Sequence, residues 1–232
     1  MKKRILIIGG TSGVGLELAK YYATDGNTVC VTGSRSPDIE GIQFQQLAIG
    51  DDAKQLVADV NRVLAGFEDV NTLVYSAGFL QRGHIDELSD SALQKMTNVG
   101  LLAPMLFAQR LKNKLATPLK VMLITSSSQY TPRKLEPAYC AVKSGLGMFG
   151  ASLVRDMRIG KVLVVAPSGI DSRFWSGTDE DTRSMLEPQW VAEQIVALSG
   201  GAFKYKYAQI LRSPARVEVQ ETLDAQLRRI PV

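Results

Sequence analysis

The sequence predicts an α/β fold: a doubly wound parallel sheet of about seven strands with helices on both faces, in one domain spanning 1–232. Three observations predict it. Short β-branched runs alternate with amphipathic segments along the chain. The runs are apolar throughout, as strands covered on both faces are. A glycine cluster stands where the first strand meets the first helix.

Strands are expected at 5–8, 28–32, 43–47, 72–75, 121–125, 162–165 and 208–211. Helices are expected at 16–23, 53–64, 90–111, 137–157 and 189–198. Over 53–64, Leu56, Val57, Val60 and Leu64 share one face, and Pro137 suits a first helical turn. No repeat, low-complexity tract or interdomain linker interrupts the pattern. The least regular stretch, 171–188, reads as a mobile lid.

Bulk composition narrows the function. The chain has 232 residues, 45% of them hydrophobic, enough for one large packed core. Its net charge of +4 comes from 27 basic and 23 acidic residues that are scattered, so no nucleic-acid face is expected. Cys30 and Cys140 lie in apolar contexts without metal spacing, and read as small hydrophobes in a reducing compartment. His84 is the single histidine, which leaves almost nothing for a zinc site or a Ser-His triad, and no metal is expected. The apolar run 5–8 is too short for a signal-peptide core, and 99–108 is about half a membrane span, so the reading is soluble, cytoplasmic, with no membrane partner.

The glycine cluster reads Gly9-Gly10-Thr11-Ser12-Gly13-Val14-Gly15. Glycines at 9, 13 and 15 permit a tight turn, close approach of backbone to a pyrophosphate, and a helix packed near the strand. The N–H groups and partial positive charge of the following helix then favour phosphate. The second strand leads into Ser34 and Arg35, where NAD-binding folds carry an acid for the ribose hydroxyls. A guanidinium there suits a 2′-phosphate, so NADP(H) is expected over NAD(H).

Tyr139 and Lys143 stand at i and i+4, neighbours on one helical face. A phenol has a free pKa near about 10, and an adjacent ammonium lowers it by stabilising the phenolate.

The spacing G-x-x-x-G-x-G at the first strand, Tyr-x-x-x-Lys in mid-chain and a serine cluster thirteen residues before the tyrosine together resemble the short-chain dehydrogenase/reductase family, from Ile5 to about Leu198. The resemblance implies the dinucleotide-binding (Rossmann) fold and hydride transfer between nicotinamide and a small-molecule carbonyl or alcohol. Ser126 matches the family's catalytic serine, with Ser127 as the alternative one register on; Asn98 matches the asparagine that kinks the long helix and holds a proton-relay water. Tyr139 is implied as acid/base and Lys143 as its partner and the holder of the nicotinamide ribose.

Further cofactor contacts follow from the resemblance. The strand-four motif, usually Asn-Asn-Ala-Gly, is Tyr75-Ser76-Ala77-Gly78 here. The aspartate expected near the adenine is Ala48, which leaves the backbone of Ile49 for that contact. In Pro167-Ser168-Gly169-Ile170-Asp171-Ser172 the nicotinamide end is expected, with Ile170 contacting the carboxamide. Leu80, Gln81, Gln129, Tyr130, Phe174 and Trp175 flank these segments as candidate substrate-pocket residues, and the aromatics point to an apolar carbonyl compound. Two other functions keep the same fold: an epimerase or dehydratase of the family, or a regulatory sensor that binds NADP(H) without turnover. A homodimer or homotetramer is expected, built on the helix 137–157, whose Gly145, Gly147 and Gly150 suggest close approach of another backbone; burial inside the subunit is the other reading.

Overall fold

The computed structural model describes residues 3–114 and 117–230. Eight strands form one sheet: β1 (Arg4–Ile8), β2 (Thr28–Gly33), β3 (Ile42–Gln46), β4 (Thr72–Tyr75), β5 (Leu119–Ile124), β6 (Ile159–Pro167), β7 (Tyr205–Arg212) and β8 (Ala215–Leu223). Their order is β3-β2-β1-β4-β5-β6-β7-β8. All neighbours run parallel except β8, which returns antiparallel along β7.

Period-two geometry divides each central strand between two cores. Leu6 and Ile8 of β1 face one layer with Leu73 and Tyr75 of β4. Ile5 and Ile7 face the other with Val74. Helices α2 (Ala53–Gly66), α4 (Ala103–Lys114) and α5 (Pro137–Leu153) cover the first face through residues such as Val60, Phe107 and Leu146. Helices α1 (Gly13–Thr24) and α6 (Pro188–Ser199) cover the second through Leu18, Tyr22, Val191 and Ile195.

Three expectations change. β8 is an eighth strand: Val217 and Val219 alternate with charged neighbours on a half-exposed edge, where polar side chains discourage further pairing. The single helix expected at 90–111 is α3 (Asp90–Thr97) and α4 joined by a π-turn, Asn98–Leu102. α5 stops at Leu153 rather than at 157, because Asp156 accepts from the Arg158 N–H at 3.0 Å and turns the chain into β6.

The α5 glycines serve the subunit itself. A Cβ on Gly150 would lie 2.6 Å from Val164 Cγ2 on β6, one on Gly147 would lie 2.4 Å from the Gln129 side chain, and one on Gly145 would lie 3.0 Å from Leu101. Their close neighbours are internal, so the glycines themselves are no argument for a second chain. Among the described residues, no helix is long and apolar enough to cross a membrane, and no three His, Cys, Asp or Glu side chains cluster as metal ligands.

Candidate active site

Strand order reverses between β1 and β4, and the loops leaving their C-terminal ends open a crevice there, where ligands bind in such sheets. A cavity of about 630 Å³ occupies it. Residues predicted to contact the cofactor line it: Gly9, Thr11, Ser12, Gly13 and Val14 from the phosphate loop, and Ser76, Ala77 and Gly78 after β4. Pro167, Gly169, Ile170 and Ser172 line it from beyond β6.

This wall fits a dinucleotide. Gly9 sits at φ 81°, and a Cβ there would lie 2.6 Å from the Ala77 nitrogen, so only glycine lets the two loops meet. Ser12 heads α1 without a side-chain capping bond, and no acid occupies the first turn. The N-terminal N–H groups of that helix are thus left for an anion. Gly15 does not line the cavity. A Cβ there would meet the Gly9 carbonyl oxygen at 2.3 Å, so Gly15 lets α1 pack on the loop.

The adenosine end is less enclosed. Gly9 and Gly10 donate to the Thr32 carbonyl at 3.1 and 3.0 Å, which holds the end of β2 against the phosphate loop. Ser34 and Arg35 follow, exposed and outside the cavity. Ile49 also lies outside it, half-buried against the first core.

Ser126, Tyr139 and Lys143 line the same cavity. Ser126 stands just beyond the end of β5 and accepts from the Ser128 N–H at 3.1 Å. Ser126 also acts on the Tyr139 phenol, drawing its pKa down against a larger upward push from burial. Ser127 instead accepts from Arg133 Nη2 at 3.1 Å. Both serines line the cavity, and of the two it is Ser126 that bears on the tyrosine.

Tyr139 and Lys143 are both buried, one turn apart on α5, with the ammonium 5.6 Å from the phenol ring centre. Burial lowers the Lys143 pKa to about 8. Its Nζ donates to the Ile124 carbonyl at 3.3 Å. The net shift of Tyr139 is upward because burial dominates, against the lowering expected from the adjacent ammonium.

Asn98 is fully buried but does not line the cavity. Its Nδ2 donates to the Gly50 carbonyl at 3.0 Å, and its Oδ1 accepts from Gln94 Nε2 at 2.9 Å. It begins the π-turn, so the helix does change course at this asparagine.

Of the candidate pocket residues, Phe174 and Trp175 line the cavity; Leu80, Gln81, Gln129 and Tyr130 do not. Gln129 packs over Gly147 instead. Phe174 lies 6.0 Å from the Tyr139 ring, centre to centre. The stretch predicted as a lid is pinned at its neck: Leu186 N–H donates to the Gly169 carbonyl, and Asp171 N–H to that of Leu186, both at 2.9 Å. Sequence reasoning missed the charged residues Arg82, Arg133, Lys134, Glu136 and Glu180, all on the cavity wall. Their one local signal is position, in loops at the C-terminal ends of parallel strands.

Comparison with known proteins gives this geometry a family. Residues 3–183 match the family described as short chain dehydrogenase. An uncharacterized oxidoreductase of Staphylococcus epidermidis is 25% identical over 236 residues, covering 95% of this chain and 96% of that protein. The 3-oxoacyl-[acyl-carrier-protein] reductase MabA of Mycobacterium tuberculosis is 26% identical over 191 residues, covering 78% of this chain and 74% of its own. Among solved structures, a short chain dehydrogenase family protein of Francisella tularensis superposes with a TM-score of 0.79 at 17% identity, covering 92% of this chain and 98% of that one. ElxO with NADP bound does so with a TM-score of 0.72 at 22% identity, covering 92% and 98%. The fold is shared and the family match spans most of the chain, which belongs to the short-chain dehydrogenase family.

Proposed function

We propose that this protein is an NADP(H)-dependent oxidoreductase that moves a hydride between the nicotinamide and a carbonyl or alcohol carbon of a small molecule. The observation that carries the reading is one cavity lined by both the phosphate loop and the buried Tyr139 and Lys143. NADP(H), when bound, supplies the hydride or accepts it.

The chain's own residues do the rest. Ser126 hydrogen-bonds the substrate oxygen and fixes it beside Tyr139. In reduction the Tyr139 hydroxyl gives its proton to that oxygen; in oxidation the phenolate takes it back. Lys143 holds the nicotinamide ribose and, one turn along α5 from Tyr139, favours the phenolate when it forms. Asn98 belongs to the proton relay towards solvent, through a water held at its turn. Phe174 and Trp175 close over the substrate and keep bulk water from the reacting carbon.

Arg35 supports NADP(H): it is free at the end of β2, where a carboxylate would repel the 2′-phosphate. The likeness to ElxO, solved with NADP bound, is of the same sense. A homodimer or homotetramer is the proposed assembly, supported by the exposed Met148 on α5 and Met105 on α4, apolar side chains on neighbouring helices. The test of the activity is NADPH oxidation, followed by absorbance, across a panel of carbonyl compounds. No oxidation with any of them, in a protein shown to bind NADPH, would leave a sensor as the better reading.

A further inference from the structure

The substrate side of the cavity is charged, which the sequence did not suggest. Arg82 comes from the loop after β4, and Arg133 and Lys134 from the loop before α5. The two loops are tied by the Gly83 N–H, which donates to the Leu135 carbonyl at 2.9 Å. Two carboxylates face the three cations: Glu136, next to the first residue of α5, and Glu180, from the 171–188 stretch. Arg173 belongs elsewhere, since it follows Ser172, which lies against Gly13 of the phosphate loop.

The two carboxylates are held differently. Glu136 is buried and built in: its Oε2 accepts from the Ser128 hydroxyl at 3.1 Å, and its Oε1 lies 3.6 Å from Arg82 Nε. That Nε is buried and has no hydrogen-bond partner. Glu180 is partly exposed, on an irregular segment, and joined to the wall by one bond, Oε2 to Arg82 Nη1 at 2.9 Å. An ion pair exposed to this degree contributes little, about 0–1 kcal/mol, so it is replaced at small cost. Arg82 therefore carries a fixed carboxylate, Glu136, on its Nε side and a displaceable one, Glu180, on Nη1.

We propose that the substrate is a carbonyl compound bearing a carboxylate, and that this carboxylate takes the place of Glu180 on Arg82. The proposal rests on the oxidoreductase reading above and names its substrate class. Glu180 shows that Arg82 Nη1 binds a carboxylate in this position, and the outer edge of the planar guanidinium, Nη1 with Nη2, suits two carboxylate oxygens. With Arg133, Lys134 and Arg212 also on the lining, cations outnumber Glu136 and Glu180, an excess that an anion offsets. At the other end, Phe174 beside Tyr139, with Trp175 edge-on to it at 5.2 Å, receives an apolar body. The occupant is thus an oxo acid with a hydrophobic segment, rather than a wholly apolar ketone.

The experiment compares oxo acids of graded length with their methyl esters, as substrates with NADPH and, in parallel, as ligands of the NADPH-loaded Tyr139→Phe protein followed by tryptophan fluorescence. The expected result is a preference for acid over ester of about tenfold to a hundredfold in kcat/KM, the scale of one charge-assisted contact. In Arg82→Gln that ratio falls at least tenfold, mainly through KM. In Glu180→Gln, where the competing carboxylate is gone, KM for the acid falls and that for the ester does not. Equal handling of acid and ester by the wild type overturns the proposal, as does an unchanged ratio in Arg82→Gln. Turnover of a phosphate-bearing ketone but of no oxo acid overturns the choice of carboxylate. If nothing is turned over and the loaded protein still binds acid over ester through Arg82, the anion site stands and the oxidoreductase reading fails.

Discussion

The hydroxyl of Tyr75, fully buried at the end of β4, donates a hydrogen bond to the backbone carbonyl of Val99 in the π-turn beside Asn98. The family's asparagine is absent at position 75, yet the side chain there still reaches across from the sheet to the segment that carries Asn98. Burial pushes the Tyr75 pKa far above its usual value, so the group is a permanent donor. Tyr75→Phe keeps the ring and leaves a buried carbonyl unpaired. The expected loss is about 1–3 kcal/mol in urea denaturation. A loss below about 0.5 kcal/mol, within the range of an ordinary surface change, would mean that the bond does not hold the turn.

The α5 glycines make a separate prediction. A side chain at Gly150 meets Val164 and Leu123 within the subunit. Gly150→Leu is therefore expected to lower stability by about 1–3 kcal/mol through overpacking. The check is thermal unfolding together with light scattering. A variant that keeps its melting temperature but loses mass would place the glycine at an interface instead.

For the cofactor, Arg35→Ala is expected to raise KM for NADPH about tenfold to a hundredfold, and KM for NADH far less, because only NADPH presents the 2′-phosphate. Ser34→Asp should shift the preference further towards NADH by repulsion. Steady-state kinetics with both cofactors decides it; equal changes for the two would contradict the assignment.

Much of the site was legible because its signals are local. Gly9 to Gly15 and Tyr139 with Lys143 act over a few residues of one strand-turn-helix or one helical turn, and spacing alone places them together. The π-turn at Asn98 was not legible as such, since it adds one residue to a turn without breaking the helical pattern of 90–111. The glycines of α5 told of a close neighbour but not of its identity; Val164 and Gln129 come from other elements. Arg82 and Glu180 lie 98 positions apart, joined only by the fold, and nothing near either one announces the other. β8 was lost to its own edge position, where half its residues are polar.

The central claim is that Tyr139 transfers the proton, and Tyr139→Phe tests it most directly. The change removes one oxygen from a buried ring that keeps its packing against Phe174. The measurement pairs NADPH binding by fluorescence with NADPH-dependent turnover of the best carbonyl substrate. The account predicts binding within about twofold of wild type and kcat reduced at least about a hundredfold, the lower end of what a positioned general acid contributes. A variant that binds NADPH and keeps more than a few per cent of wild-type kcat would contradict it.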